Sequence, residues 1–186
     1  KGKGWPARAE PWLKKASAED WELLDQFPLL HRLPEIGRIL VHGGFFPRFF
    51  DLYGDLGAIP EVWRTGGGKR MKRMRRFLRV RHVNDEGNMV TLDQIDKTVN
   101  PHWSDVYDGR EGFALYGHDP QINPPEARLS KHALGLDTGC VFGGRLTALI
   151  HDRGAEQLLS VEARERYARP LYQDGDKDCD SRLRVN

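Results

Sequence analysis

Seven residues, Arg38-Ile-Leu-Val-His-Gly-Gly44, constrain the fold of this chain more than any other stretch. Ile39, Leu40 and Val41 form a short aliphatic run, and two glycines follow the histidine at once, so the extended segment has to end where His42 emerges. The pattern predicts a strand over 38–41 with His42 at its carboxyl end. In open α/β sheets ligands gather at such ends, and glycines let a backbone approach an ion or a phosphate. A second run, Gly112-Phe-Ala-Leu-Tyr-Gly-His-Asp119, repeats the design with His118. Neutral imidazole is the commonest metal ligand, so His42 and His118, though distant in sequence, are candidates to share one metal site. His31, His82, His102, His132 and His151 lack this context and read as ordinary core or surface residues.

With 186 residues, 39% of them hydrophobic and 30% charged, the chain has the size of one globular domain or of part of a larger one. No apolar run approaches the roughly 18 residues of a membrane span, and no signal-peptide pattern opens the chain. It starts on Lys-Gly-Lys-Gly, which reads as a cut or processed end or an incomplete gene model. Cys140 and Cys179 stand in unlike surroundings, one apolar and one acidic, so no disulfide framework is expected and a cytoplasmic location is. A net charge of +2 does not imply a nucleic-acid binder. Distribution says more, because Lys69, Arg70, Lys72, Arg73, Arg75, Arg76, Arg79 and Arg81 crowd together. Met71, Met74 and Leu78 recur among them at helical spacing, so the stretch reads either as an amphipathic helix with a solvated cationic face or as a rim facing a polyanion. On the second reading Arg76 and Arg79 stand nearest the phosphate.

Residues 1–15 form a basic lead-in anchored by Trp5 and Trp12. Ser17-Ala-Glu-Asp20 resembles a capping box and opens a helix whose buried side is Trp21, Leu23, Leu24 and Phe27. Phe45, Phe46, Phe49 and Phe50 are expected to begin a helix and pack on the sheet, or else to wall a cleft. A helix of one to two turns is expected over 101–109, with Trp103 and Tyr107 on one face. Strands are predicted over 112–116, 133–136 and 146–150, a proline-rich loop over 119–131, a helix over 160–168 and a disordered end from Asp174.

Three runs in order, Leu40-Val41-His42-Gly43-Gly44, Tyr116-Gly117-His118-Asp119-Pro120 and the stretch from Gly135 to Leu149 (Gly-Leu-Asp-Thr-Gly-Cys-Val-Phe-Gly-Gly-Arg-Leu-Thr-Ala-Leu), resemble the later motifs of calcineurin-like metallophosphoesterases. That family includes the Ser/Thr protein phosphatases. The third run is similar to the branch of symmetrical diadenosine tetraphosphatases and their eukaryotic relatives. The resemblance implies two divalent metal ions (Mn, Zn, Fe or Mg) that clamp a phosphoryl group and activate a water, with His42 and His118 as the last two ligands. Asp137, at a strand end beside Gly139, is read as closing a turn or else as supporting the site from behind. Asp119 is read as capping its loop, and Gly143 and Gly144 as a hairpin.

The same resemblance implies earlier Gly-Asp-x-His-Gly, Gly-Asp-x-x-Asp-Arg-Gly and Gly-Asn-His-Glu/Asp motifs, and this chain contains none of them. They would supply the other ligands, the bridging aspartate and the acid, so no catalytic residue is assigned here. The expected fold is α/β, a partial metallophosphatase β-sandwich with flanking helices that lacks its amino-terminal half. Its expected division is a helical lead-in over 1–37, the carboxyl-terminal half of the domain over 38–152, and a helical and disordered tail over 153–186. The expected function is hydrolysis of a phosphoester or phosphoanhydride on a phosphorylated or polyphosphate substrate, by a fragment with little activity until paired with an amino-terminal half. The alternative is an inactive module that holds a polyanion or nucleic acid on residues 69–81.

Overall fold

A computed structural model describes residues 15–59 and 63–170. Trp5, Trp12, Cys179 and the tail from Asp174 lie outside the described residues.

The chain folds as mixed α/β around a five-stranded sheet of order β1-β2-β3-β5-β4. Its centre is three parallel strands, β2 (Arg38–Val41), β3 (Phe113–Tyr116) and β5 (Ala133–Gly135). β1 (Leu30–Leu33) and β4 (Arg128–Ser130) pair antiparallel at the two edges. Alternation sends Ile39, Val41, Ala114, Tyr116 and Ala133 to one face, where all are buried. The opposite face carries a row in register, His31, Leu40, Leu115, Leu134 and Leu129.

The long connection from β2 to β3 covers the first face. α2 (Pro47–Tyr53) starts with proline at its first turn, and Phe45, Phe46, Phe49 and Phe50 are buried against the sheet, as the packing alternative required. α3 (Gly68–Met74) buries Met71 and Met74, then tightens into a 3-10 turn over Arg75–Leu78 that inserts Phe77. α4 (Trp103–Val106) adds Trp103, with Tyr107 packed beside it. Phe77 stands edge-on to Phe45, Phe46 and Phe49 at centroid distances of 5.2, 5.6 and 4.9 Å, an arrangement that favours the quadrupoles of the rings.

Several expectations are corrected. α1 (Ala18–Gln26) has the anticipated capping box, with Ser17 Oγ accepting from Asp20 N and Asp20 accepting from Ser17 N, yet none of its residues is buried. Its Leu23 and Leu24 are exposed, and so is Phe27 just beyond it. α1 is held from its end, where Arg64 donates to the carbonyls of Leu24, Asp25 and Phe27. The expected helix over 160–168 does not form: its first three residues end β7 (Ala155–Glu162), which pairs along its whole length with β6 (Arg145–Asp152) in a two-stranded ribbon, and the rest are irregular. Pairing with β6 holds Ser160, Val161 and Glu162 extended, and the chain after them is tied to the turn before β6, Ala163 N donating to Gly144 O and Tyr167 N and Ala168 N to Val141 O. The 119–131 loop contains β4, and the lead-in boundary at 37 divides the β1–β2 pair.

Candidate functional site

Parallel pairing puts the carboxyl ends of β2, β3 and β5 side by side. Val41 is in register with Tyr116 and Tyr116 with Gly135, so the residues that follow, His42, Gly117 and Leu136, leave the sheet together. Gly117 N donates to His42 O at 3.0 Å, and Leu136 N to Tyr116 O at 2.8 Å. The structure therefore brings His42 and His118 together, with ring centroids 5.0 Å apart and planes tilted by 55°.

The two rings have unlike surroundings. His42 is exposed, whereas His118 is half-buried and its Nε2 is buried without a hydrogen-bond partner. Burial, followed by the charges of Arg81 and the ring of His42, lowers the His118 pKa to about 4, against weaker opposition from Asp119 and a backbone hydrogen bond at Arg79. The imidazole is thus neutral at ordinary pH, the form that ligates a metal. His118 also has φ of 71°, and Asp119 N donates back to Gly117 O at 2.8 Å, which makes it the centre of a positive-φ γ-turn. Such a conformation costs a non-glycine residue on the order of 1–3 kcal/mol and persists where the surroundings impose it.

The two glycines after His42 do not form an open cradle. Gly43 N and Gly44 N both donate to Phe77 O at 2.9 Å. A Cβ on Gly43 would lie 2.7 Å from that carbonyl, and one on Gly44 would lie 2.1 Å from the Trp103 indole. These positions are glycine because the core packs against them. Likewise Gly144 lies against Thr138 O, where a Cβ would come within 2.2 Å, and Gly143 ends the 3-10 turn over Cys140–Phe142 with φ of 86°.

Asp119 does not cap its loop with its side chain. Its carboxylate receives Arg81 Nε at 3.0 Å and lies 3.4 Å from His102 Nε2. Burial alone would raise its pKa, but His102 and Arg81 outweigh it and the carboxyl is held below its usual range. Asp137 sits just beyond β5 and its Oδ1 accepts from Gly139 N at 3.2 Å, so it closes a turn. Among the described residues no group of three or more His, Cys, Asp or Glu side chains could hold a metal ion. The orphaned Nε2 and the facing ring fit two donors of a metal site; they do not complete one.

Half of the basic stretch is spent on partners within the protein. Arg70 donates to Leu56 O, Arg75 to the carbonyls of Trp63, Arg64 and Gly66, and Arg81 to His118 O, while Arg73 reaches Tyr53 Oη. Lys69 and Lys72 are exposed. Arg76 and Arg79 make no side-chain hydrogen bond or ion pair among the described residues, and Arg79 borders His118 through its backbone. Sequence reasoning missed Arg81 and His102 as neighbours of the site. Their partners lie 37 and 17 positions away, and no local pattern announces them.

No protein-family model matches the chain. A protein of Oceanobacillus iheyensis named bis(5'-nucleosyl)-tetraphosphatase PrpE [asymmetrical] is 29% identical over 153 residues, covering 82% of this chain and 50% of that protein. A protein of the same name from Halalkalibacterium halodurans is 32% identical over 129 residues, covering 69% of this chain and 42% of that protein. The chain is similar in sequence to these two proteins. It spans about half the length of the relatives it matches. Their names carry the word asymmetrical, whereas the third motif resembles the symmetrical branch. The crystal structure of a protein described as a candidate diadenosine tetraphosphatase matches with a TM-score of 0.52 at 21% identity, over 82% of this chain and 59% of that one, a likeness of fold. No helix among the described residues is long and apolar enough to cross a membrane.

Proposed function

We propose that this chain carries part of the active site of a phosphoanhydride hydrolase of the calcineurin-like metallophosphoesterase family, in which His42 and His118 ligate a pair of divalent ions, Mn, Zn, Fe or Mg. The observation behind this reading is the pair of strand-end imidazoles, 5.0 Å apart and one with an unsatisfied buried nitrogen, in a chain similar in sequence to proteins named tetraphosphatases. When bound, such ions polarise the phosphoryl group and activate the attacking water. The chain's own part is to hold the two imidazoles in place and to gather phosphate: Arg79, beside His118, and Arg76 offer guanidinium forks to phosphate oxygens. Asp137 supports the site only by fixing the turn after β5.

The relatives' names support a dinucleoside polyphosphate as substrate. Two imidazoles without a bridging carboxylate hold a metal pair weakly. The remaining ligands therefore come from polypeptide outside the described residues or from a second chain, and this chain alone has little or no hydrolase activity.

Calorimetric titration with Mn²⁺ tests the ligands: binding should weaken at least tenfold in the His42→Ala, His118→Ala double variant. Unchanged metal binding, or salt-sensitive polyanion binding indifferent to both substitutions, would favour the inactive module instead. Fusion to the part of the Oceanobacillus relative that the chain does not match should create hydrolysis of diadenosine tetraphosphate, followed by anion-exchange chromatography.

A further inference from the structure

We propose that Arg81 is a positioning residue for His118: one guanidinium clamps the γ-turn so that the imidazole stays turned toward His42 with its Nε2 free. The inference rests on the reading of the two imidazoles as metal ligands and assigns the group that keeps them paired. His118 and Arg153 are the positive-φ residues other than glycine among those described, and Arg153 lies in the exposed turn of the ribbon. His118 is held from outside its own loop. Arg81 donates one terminal nitrogen to His118 O at 3.0 Å and its Nε to Asp119 Oδ1 at 3.0 Å, so a single planar fork grips both the central residue of the turn and the residue after it.

Arg81 is itself anchored. Its carbonyl accepts from Trp103 N at 2.9 Å, at the start of α4 in the core. The second oxygen of Asp119 faces the buried ring of His102, whose Nδ1 accepts from Ser104 N at 3.2 Å; that bond assigns the proton of the neutral ring to Nε2, 3.4 Å from the carboxylate. Trp103 and His102 thus fix Arg81 and Asp119, and these two fix the His118 backbone. Removing the guanidinium frees the turn to relax to negative φ, which would swing the ring away from His42.

The test uses the full chain with ¹³C-labelled histidine. The wild type should show a nuclear Overhauser contact between the imidazole protons of His42 and His118, and trace Mn²⁺ should broaden both rings at the same concentration. In Arg81→Met the contact should vanish, and the Mn²⁺ needed to broaden His118 should rise by about tenfold or more. Arg81→Lys keeps the charge beside Asp119 but cannot span both partners, so it should keep the fold and still lose most of the contact. A ring contact and Mn²⁺ response in Arg81→Lys equal to the wild type would overturn the proposal. If wild-type rings are in contact but no Mn²⁺ broadening occurs, the metal reading fails, and the ring contact alone then decides the role of Arg81.

Discussion

At Gly44 one missing methyl group decides whether the end of β2 can form. With φ of 149° and the indole of Trp103 in the space a Cβ would need, Gly44→Ala should lower stability by roughly 2 kcal/mol or more, measured by urea unfolding, and should disturb the His42 ring. His118 gives a second prediction, with a definite sign. Its pKa of about 4 in the folded protein lies below the ordinary imidazole value of about 6.5, so the unfolded chain takes up the proton first as pH falls. The neutral ring's contribution is complete above about pH 6.5 and is lost as pH drops toward 4. An NMR titration should place the midpoint of the His118 ring near 4, and the urea midpoint should fall over the same window. A midpoint between 6 and 7 would contradict the burial of this ring beside Arg81. His102 is displaced in the same direction, by burial first and against the pull of Asp119.

Among the elements, those that bury a face and those held by their ends should respond differently to substitution. Phe77, fully buried among three phenylalanines, lies on the 3-10 turn that also receives Gly43 and Gly44, and Phe77→Ala should cost about 3–5 kcal/mol. α1 packs no residue into the core, so Ser17→Ala, which removes its cap, should fray the helix by about 1 kcal/mol in hydrogen exchange without moving the global unfolding midpoint. α3 shows how a charge-rich element can mislead. Its hydrophobic period correctly identified Met71 and Met74 as core, but the same period could not show that Arg70, Arg73 and Arg75 fold back onto neighbouring carbonyls and a tyrosine.

Across the whole molecule the sheet and the ribbon leave apolar surface uncovered. Pairing in register places Leu146, Ala148, Ile150, Leu159 and Val161 on one face of the ribbon, and Leu146, Ile150, Leu159 and Val161 are substantially exposed. Leu159→Lys should therefore change stability by less than about 0.5 kcal/mol. It should also reduce concentration-dependent association in sedimentation velocity, since exposed apolar strands invite pairing. Much of the candidate site was legible in the sequence: a strand that ends on histidine and glycine is a local pattern, and it located β2, β3 and both imidazoles. β1, β4 and β7 were not legible, because short strands at edges and in ribbons owe their existence to a partner distant in sequence. The sequence by itself determined where the chain turns from strand to loop, since the period of side chains and the absence of a Cβ act within a few residues. Only the tertiary structure decided that the glycines serve packing, that Asp119 answers Arg81 and His102, and that His118 is bent toward His42, because each depends on which distant groups share a volume too small for water to screen them.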